Sequence, residues 1–241
     1  MTTNPSPALL ALETSGAACG VALAWQGHYF VDTDEQPLQH ATRLAPMIRQ
    51  ILEEAGASPS HLQAVAVSLG PGSYTGLRIG LATAKGLCQV IGCPLIGIST
   101  FQILRLTALR KYAERHPEWI VLAIASKRDY LYLAAFNKEG NPLFSIENYH
   151  YTSWDSLVGG IPWTSTIVVG SGAQSLIEKL KTEPLIMDVN LQPEASEALE
   201  LALEAFQAKT FVSLHDTEPL YLSGFQPLKS IGSPLKPPSH F

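Results

Sequence analysis

The stretch best suited to chemistry is a glycine-rich segment, SLGPGSYTGLRIGLATAKGLC, which spans residues 68–88. A glycine-rich turn that leads into a helix can bind phosphate, because its backbone N–H groups converge on an anion. The best-known phosphate-binding loop has the pattern G-x-x-x-x-G-K-[ST]. Counting from Gly70 places Thr75 at the second glycine position, and counting from Gly72 places Leu77 there. The segment is therefore not a loop of this class, and only unspecific anion binding stays open.

A catalytic serine is the second chemistry to consider in this segment. The exposed nucleophile of a hydrolase requires the pattern G-x-S-x-G. Pro71 stands two residues before Ser73, and Val169 stands two residues before Ser171, which is the serine of a second glycine-containing turn. Neither serine has the required glycine, so the sequence argues against a serine hydrolase.

Metal and redox chemistry find little support in the sequence. None of the seven histidines has another histidine four residues away, and the three cysteines offer no second pair for a zinc site. The cysteines lie in apolar surroundings, which predicts buried, reduced thiols in a cytoplasmic protein; they are Cys19, Cys88 and Cys93. We expect neither a metal nor another cofactor.

The composition narrows the class of protein further. The chain has 241 residues, of which 46% are hydrophobic and only 15% charged, and its net charge is -5. The acidic balance and the lack of a basic run argue against a protein that binds nucleic acid by itself. No apolar run approaches the roughly 20 residues of a membrane helix, and the N-terminus lacks the features of a signal peptide.

The helix predicted at 75–91 is unusually rich in small residues. Gly76, Gly80 and Ala84 fall on one side, and Arg78 and Lys85 belong to a narrow polar strip. An interior glycine costs a helix about 1 kcal/mol relative to alanine, so the glycines indicate close approach of a neighbouring backbone. Periodicity alone leaves open whether that neighbour belongs to this chain or to a partner protein.

The elements around this helix follow a repeated order, β-β-β-α-β-α, in each half of the chain. The predicted strands are 8–15, 19–25, 28–33, 64–68 and 93–99, then 120–126, 130–136, 143–151, 166–170 and 183–189. Two such units in tandem predict an α/β protein that arose by internal duplication. We predict lobes at 1–104 and 105–222, and an extended or disordered tail rich in proline and serine at 223–241.

Three segments resemble the bacterial TsaB (YeaZ) family in the same order. They are LALETS near the N-terminus, VSLGPGSYTGLRIGLATAKGL and PLIGIST. The resemblance covers about residues 1–222 and is strongest over the first 100. This family, also labelled glycoprotease-like or peptidase M22, serves the biosynthesis of threonylcarbamoyladenosine in tRNA.

The resemblance implies a fold and a set of partners. The fold is that of actin, sugar kinases and Hsp70, with two ribonuclease H-like lobes. The partners are the catalytic paralogue TsaD and, through the complex, the ATPase TsaE; tRNA is met only as part of that complex, and the isolated protein forms a homodimer. The helices matching 42–55 and 75–91 form the hetero-interface in the family, which predicts contacts from a set of residues on both. These are Leu44, Met47, Ile48, Ile51, Tyr74, Gly76, Leu77, Arg78, Gly80, Leu81, Ala84 and Lys85.

The chain departs from its catalytic paralogue at one place and from other TsaB relatives at another. Aligned on PLIG, the metal-binding histidine pair of the paralogue falls on Thr100 and Leu104, and neither replaces imidazole as a ligand. Relatives often carry D-A-R in the first strand of the second lobe, where this chain has Ala125-Ser126-Lys127. A vestigial nucleotide site is the most that we predict; its residues are Glu13, Thr14, Ser15, Gly170 and Gly172.

These features predict a non-catalytic scaffold that binds and activates TsaD for the modification of adenosine 37 of tRNA. The alternative is a free-standing ATP-dependent enzyme of the same fold, either a small-molecule kinase or a carbamoyl-transfer enzyme.

Overall fold

A computed structural model describes residues 7–36, 39–126, 130–143, 147–150 and 158–220, and for 147–150 it describes the backbone alone. The predicted tail at 223–241, Lys127 and part of the predicted strand 143–151 lie outside these residues. No helix within the described ranges is long and apolar enough to cross a membrane.

The first lobe is built on a five-stranded sheet with the order β3-β2-β1-β4-β5. The strands are β1 (Leu9–Glu13), β2 (Cys19–Trp25), β3 (His28–Asp34), β4 (Ala64–Gly70) and β5 (Leu95–Ser99). β1 pairs antiparallel with β2 and parallel with β4. The C-terminal ends of β1 and β4 therefore lie side by side. Two helices, α1 (His40–Glu54) and α2 (Tyr74–Ile91), pack on one face of this sheet.

The second lobe repeats this arrangement. Read from the corresponding edge, its strand order is β8-β7-β6-β9-β10. Its strands are β6 (Trp119–Ala125), β7 (Tyr130–Asn137), β8 (Glu147–His150), β9 (Thr166–Val169) and β10 (Ile186–Asp188). Helix α4 (Ala173–Leu180) follows β9, as α2 follows β4. The matching order and pairing directions confirm the predicted duplication and the two-lobe actin/sugar-kinase/Hsp70-like fold.

The last helix of each lobe reaches towards the other lobe. Helix α5 (Ala195–Gln207) comes from the second half of the sequence, yet its alanines and Leu199 cover the free face of the first sheet. Helix α3 (Thr100–Lys111) comes from the first half, and its Phe101, Leu104 and Ala108 pack on the second sheet. The predicted boundary at 104/105 therefore falls inside α3, and α5 differs from its predicted place in the second lobe. Periodicity identifies the apolar side of a helix but does not identify the sheet that covers it.

Ion pairs and hydrogen bonds join the exchanged helices. Arg110 of α3 lies 2.5 Å from the buried carboxylate of Glu197 and also contacts Glu200, both on α5. Asp188 at the end of β10 accepts a hydrogen bond from Lys111 at 2.8 Å. The two lobes are therefore tied through their helices as well as through the chain.

The segment after α5 returns to the first lobe. The Val212 N–H donates to the Leu95 carbonyl at 3.0 Å, which adds a bridge beyond β5 at the sheet edge. The Leu220 N–H donates to the Leu69 carbonyl at 2.7 Å. The described chain thus ends beside the start of α2.

Candidate functional site

The glycine-rich turn before α2 rests on the loop that follows β1. The Ser73 N–H donates to the Ser15 carbonyl at 2.8 Å, and the Ser73 hydroxyl caps α2 by accepting from the Gly76 N–H at 3.2 Å. The Leu77 N–H donates to the Ser73 carbonyl at 2.9 Å. Several amides that could have faced an anion are therefore satisfied inside the lobe.

The small residues of α2 pack against their own chain. A Cβ atom on Gly76 would overlap the carbonyl oxygen of Thr14, and a Cβ atom on Gly80 would overlap the Thr14 hydroxyl. Gly86 differs, because a Cβ atom there would meet nothing within 4 Å. The question that periodicity left open is answered for Gly76 and Gly80, since the close neighbour of both is the β1 loop.

Most residues predicted for partner contact lie in the core of the first lobe. Nine of the twelve are buried: Leu44, Met47, Ile48, Ile51, Gly76, Leu77, Gly80, Leu81 and Ala84. These side chains pack inside the chain's own first lobe, and their contact with a partner stays a prediction. The strongest apolar periodicity on a sheet-covering helix marks the side that faces its own sheet.

Three predicted interface residues do reach the surface. Tyr74 is 55% exposed, and the Arg78 guanidinium lies 4.0 Å from the centre of its ring. Lys85 donates to the His215 carbonyl at 3.0 Å, so its ammonium anchors the returning C-terminal segment. These side chains stand on the outward side of α2.

The outward sides of α1 and α2 enclose an apolar groove of about 340 Å³. Its lining residues are Ala45, Ile48, Arg49, Leu52, Glu53, Ala57, Ser58, Pro59, Thr83 and Leu87. Next to it, α2 exposes Ala82, Gly86 and Val90, the last with 87% exposure. Apart from Ile48, the predicted interface missed these residues, although small or apolar residues at 82, 86 and 90 form their own stripe at helical spacing.

A buried carboxyl group ends β1. Glu13 is only 2% exposed, and its Oε1 accepts hydrogen bonds from the Ser15 N–H at 2.6 Å and the Ser15 hydroxyl at 2.5 Å. Its Oε2 and the Thr14 hydroxyl are buried without a hydrogen-bond partner among the described residues. Burial raises the pKa of Glu13 to about 7, although the Ser15 hydrogen bonds oppose this shift.

The second lobe contributes a turn whose donors are already used. The Gly170 N–H donates to the Asp188 carbonyl at 3.0 Å, and the Gly172 N–H donates to the Ala123 carbonyl at 2.8 Å. The Ser171 hydroxyl accepts from the Ala125 N–H at 3.0 Å. These bonds fasten the turn to β6 and β10, so the two predicted glycines do not present a phosphate cradle. No cluster of three or more histidine, cysteine or acidic side chains suited to a metal occurs in the described parts of the chain.

Comparisons with known proteins agree with this architecture. The model of the family described as TsaD, tRNA N6-adenosine threonylcarbamoyltransferase, matches residues 36–220. A threonylcarbamoyltransferase of Erythrobacter litoralis is 45% identical over 60 residues, which is 25% of this chain and 17% of that protein.

Two longer matches name a different member of this group. The tRNA threonylcarbamoyladenosine biosynthesis protein TsaB of Escherichia coli K12 is 30% identical over 224 residues, with 89% of this chain and 94% of the relative covered. A solved structure from Pseudomonas aeruginosa, described as similar to peptidase YeaZ, superposes with a TM-score of 0.78 at 30% identity and covers 90% of this chain and all of its own. The two-lobe fold and these full-length matches together place the chain in the TsaB (YeaZ) family of tRNA threonylcarbamoyladenosine biosynthesis proteins.

Proposed function

We propose that the chain is a non-catalytic subunit that binds the catalytic paralogue TsaD through the outward sides of α1 and α2. The observation that carries the proposal is the apolar groove of about 340 Å³ between these helices, beside the exposed stripe of α2. In this role the chain holds TsaD in the shape that modifies adenosine 37 of tRNA.

The chemistry of this surface suits a helical partner. Ala82 and Gly86 are small and exposed, so a second helix can approach the α2 backbone closely. Val90 supplies apolar contact area at one end of the stripe, and the exposed pair Arg49–Glu53 offers polar groups at the groove. An apolar centre with polar groups around it is the usual anatomy of a protein interface.

The partner's own fold supports the choice of TsaD. The TsaD family model matches residues 36–220, a range that includes both α1 and α2. A protein of that family would therefore carry a comparable pair of helices. Two such pairs can pack as a four-helix arrangement, and the same surface would serve the predicted homodimer of the isolated chain.

The interior of the chain supports a role without catalysis. Thr100 and Leu104, which stand where the paralogue has its histidine pair, are each 1% exposed. Leu104 belongs to the apolar cluster under the second sheet, and Ala125 stands where relatives carry an acidic residue. TsaE and tRNA then meet this chain only through the complex with TsaD.

The test is light scattering coupled to size-exclusion chromatography, with the chain mixed with TsaD from the same organism. We expect a one-to-one complex with the native chain. Ala82→Arg places a long charged side chain in the exposed stripe of α2 and should abolish the complex. Ser175→Arg makes the same change of charge on the exposed side of α4 and should leave the complex intact. Equal binding by both variants would contradict the proposed surface.

The alternative, a free-standing ATP-dependent enzyme, makes the opposite prediction in a second assay. The chain alone, with Mg²⁺ and ATP, should show no turnover above background. Turnover that disappears in Glu13→Gln but persists in Ala82→Arg would favour the enzyme and refute the non-catalytic assignment.

A further inference from the structure

Two of the three cysteines lie together where α2 ends. Cys88 is in the last turn of the helix and is 1% exposed, whereas Cys93, just before β5, is half-buried. Their sulfur atoms are 3.8 Å apart, with the Cys93 thiol placed to donate to Cys88 Sγ. The Cys88 thiol in turn lies 3.5 Å from the Pro94 carbonyl oxygen. The third cysteine, Cys19, is buried in β2 and 1% exposed.

The chain between the two thiols is short and already turned back on itself. Gly92 adopts φ +81°, the left-handed conformation that ends many helices, and its N–H donates to the Cys88 carbonyl. A disulfide has a sulfur–sulfur bond of about 2.05 Å. The two sulfur atoms therefore need to approach by about 1.8 Å for the bond to form.

We propose that Cys88 and Cys93 are a dithiol site that closes to a disulfide when the protein meets a small-molecule disulfide such as oxidised glutathione. The Cys93 thiolate attacks one sulfur of the reagent, the reagent's bond breaks, and its second half leaves as a thiol that takes up the proton lost by Cys93. Cys88 then attacks the sulfur of Cys93, loses its own proton and releases the other half as a second thiol. Two protein thiols are oxidised, and one small disulfide is reduced to two thiols.

The surroundings determine the order of these steps. A reagent reaches the half-buried Cys93 first, because Cys88 is covered by the core of the first lobe. Burial raises the pKa of Cys93, and burial together with the neighbouring thiol raises the pKa of Cys88 to about 12. Thiolates are therefore scarce at neutral pH, and the exchange is slow there, since the thiolate is the attacking form. The product ties the last turn of α2 to the first residues before β5.

The experiment treats the folded full-length chain with oxidised glutathione at mildly alkaline pH. Free thiols are then counted, and the tryptic peptide 86–105, which contains both cysteines, is weighed. We expect the thiol count to fall from three to one per chain. The peptide should lose two hydrogens without gaining glutathione, and reduction should restore it.

Two variants separate the steps. Cys88→Ser removes the second nucleophile, so the reaction should stop with glutathione attached to Cys93. Cys93→Ser removes the accessible thiol, so Cys88 should stay unmodified. Cys19→Ser is the matched control and should still form the cross-link.

Two results would overturn the proposal. One is a native chain that keeps three free thiols while a denatured sample reacts fully. The other is a native chain that accumulates glutathione on Cys93 without closing the disulfide.

Discussion

The two lobes share one strand order but end their first strands differently. β1 ends with the buried carboxyl group of Glu13, which Ser15 holds by two hydrogen bonds. β6 ends at Ala125, whose N–H is held by the Ser171 hydroxyl. The first lobe thus has a buried polar side chain at the end of its first strand, and the second lobe has only the backbone turn there.

This difference shows what a duplicated fold can lose without unfolding. The backbone hydrogen bonds of the turn at 170–172 close on its own sheet, so they need no ligand. Metal-assisted phosphoryl transfer needs groups from both sides of a cleft. In the proposed non-catalytic role, Ala125 supplies no such group on its side, and Glu13 holds the loop after β1 through Ser15.

The largest expected effect contrasts the glycines of the two lobes. Gly76→Ala should lower the free energy of unfolding by about 3 kcal/mol, because the new methyl group meets the Thr14 backbone carbonyl, which cannot easily move. Gly172→Ala should cost about 1 kcal/mol, because its nearest obstacle is the flexible end of Leu131 and the nearest backbone atoms, in Ala125 and Ala123, are 3.1 and 3.2 Å away. Urea unfolding monitored by circular dichroism measures both. Equal losses would show that the β1 loop is no more rigid than its counterpart.

The second prediction tests the buried carboxyl group through pH. The pKa of Glu13 is about 7 in the folded chain and 4.5 as an ordinary glutamate, so the folded state binds more protons between these values. The free energy of unfolding should therefore fall as pH rises from about 4.5 to 7, by at most about 1.4 kcal/mol per pH unit. Glu13→Gln should remove this contribution to the slope. Glu114→Gln, at an exposed position, is the control and should leave the slope unchanged.

The smallest expected effect tests the contact between the exchanged helices. Arg110→Ala leaves the carboxylate of Glu197, 5% exposed, without its cation and should destabilise the fold by about 1 kcal/mol, a value reduced because Arg110 is itself half exposed. Arg49→Ala breaks a pair in which both side chains are exposed and should cost less than about 0.5 kcal/mol. Thermal unfolding of the two variants compares them directly. A larger loss for Arg49→Ala would mean that the lobes are not held together by this ion pair.

Much of the fold was predictable from the sequence because its signals are local. The predicted helix at 75–91 is observed at Tyr74–Ile91. Each of the nine predicted strands that lie wholly within the described residues overlaps an observed strand. Helix α3 ends at Lys111, and a short 3-10 turn at Ala113–Arg115 leads into β6. The hydrophobic periodicity and turn residues that predict a helix or strand lie within that one short segment of the chain.

The proposed partner surface was less predictable. The resemblance pointed to α1 and α2, but apolar periodicity could not tell which side of each helix faces its own sheet and which side is free for a partner. The outward stripe at 82, 86 and 90 is weaker in hydrophobicity and could be recognised only after the inward side was known.

By itself, the sequence determined the duplicated α/β order, the absence of the P-loop and serine-elbow patterns, and the resemblance to TsaB, since each depends on residue type and spacing. Only the tertiary structure decided that α5 covers the first sheet and that Gly76 and Gly80 face Thr14. These facts depend on which surfaces meet, and packing between distant segments leaves no fixed spacing in the chain.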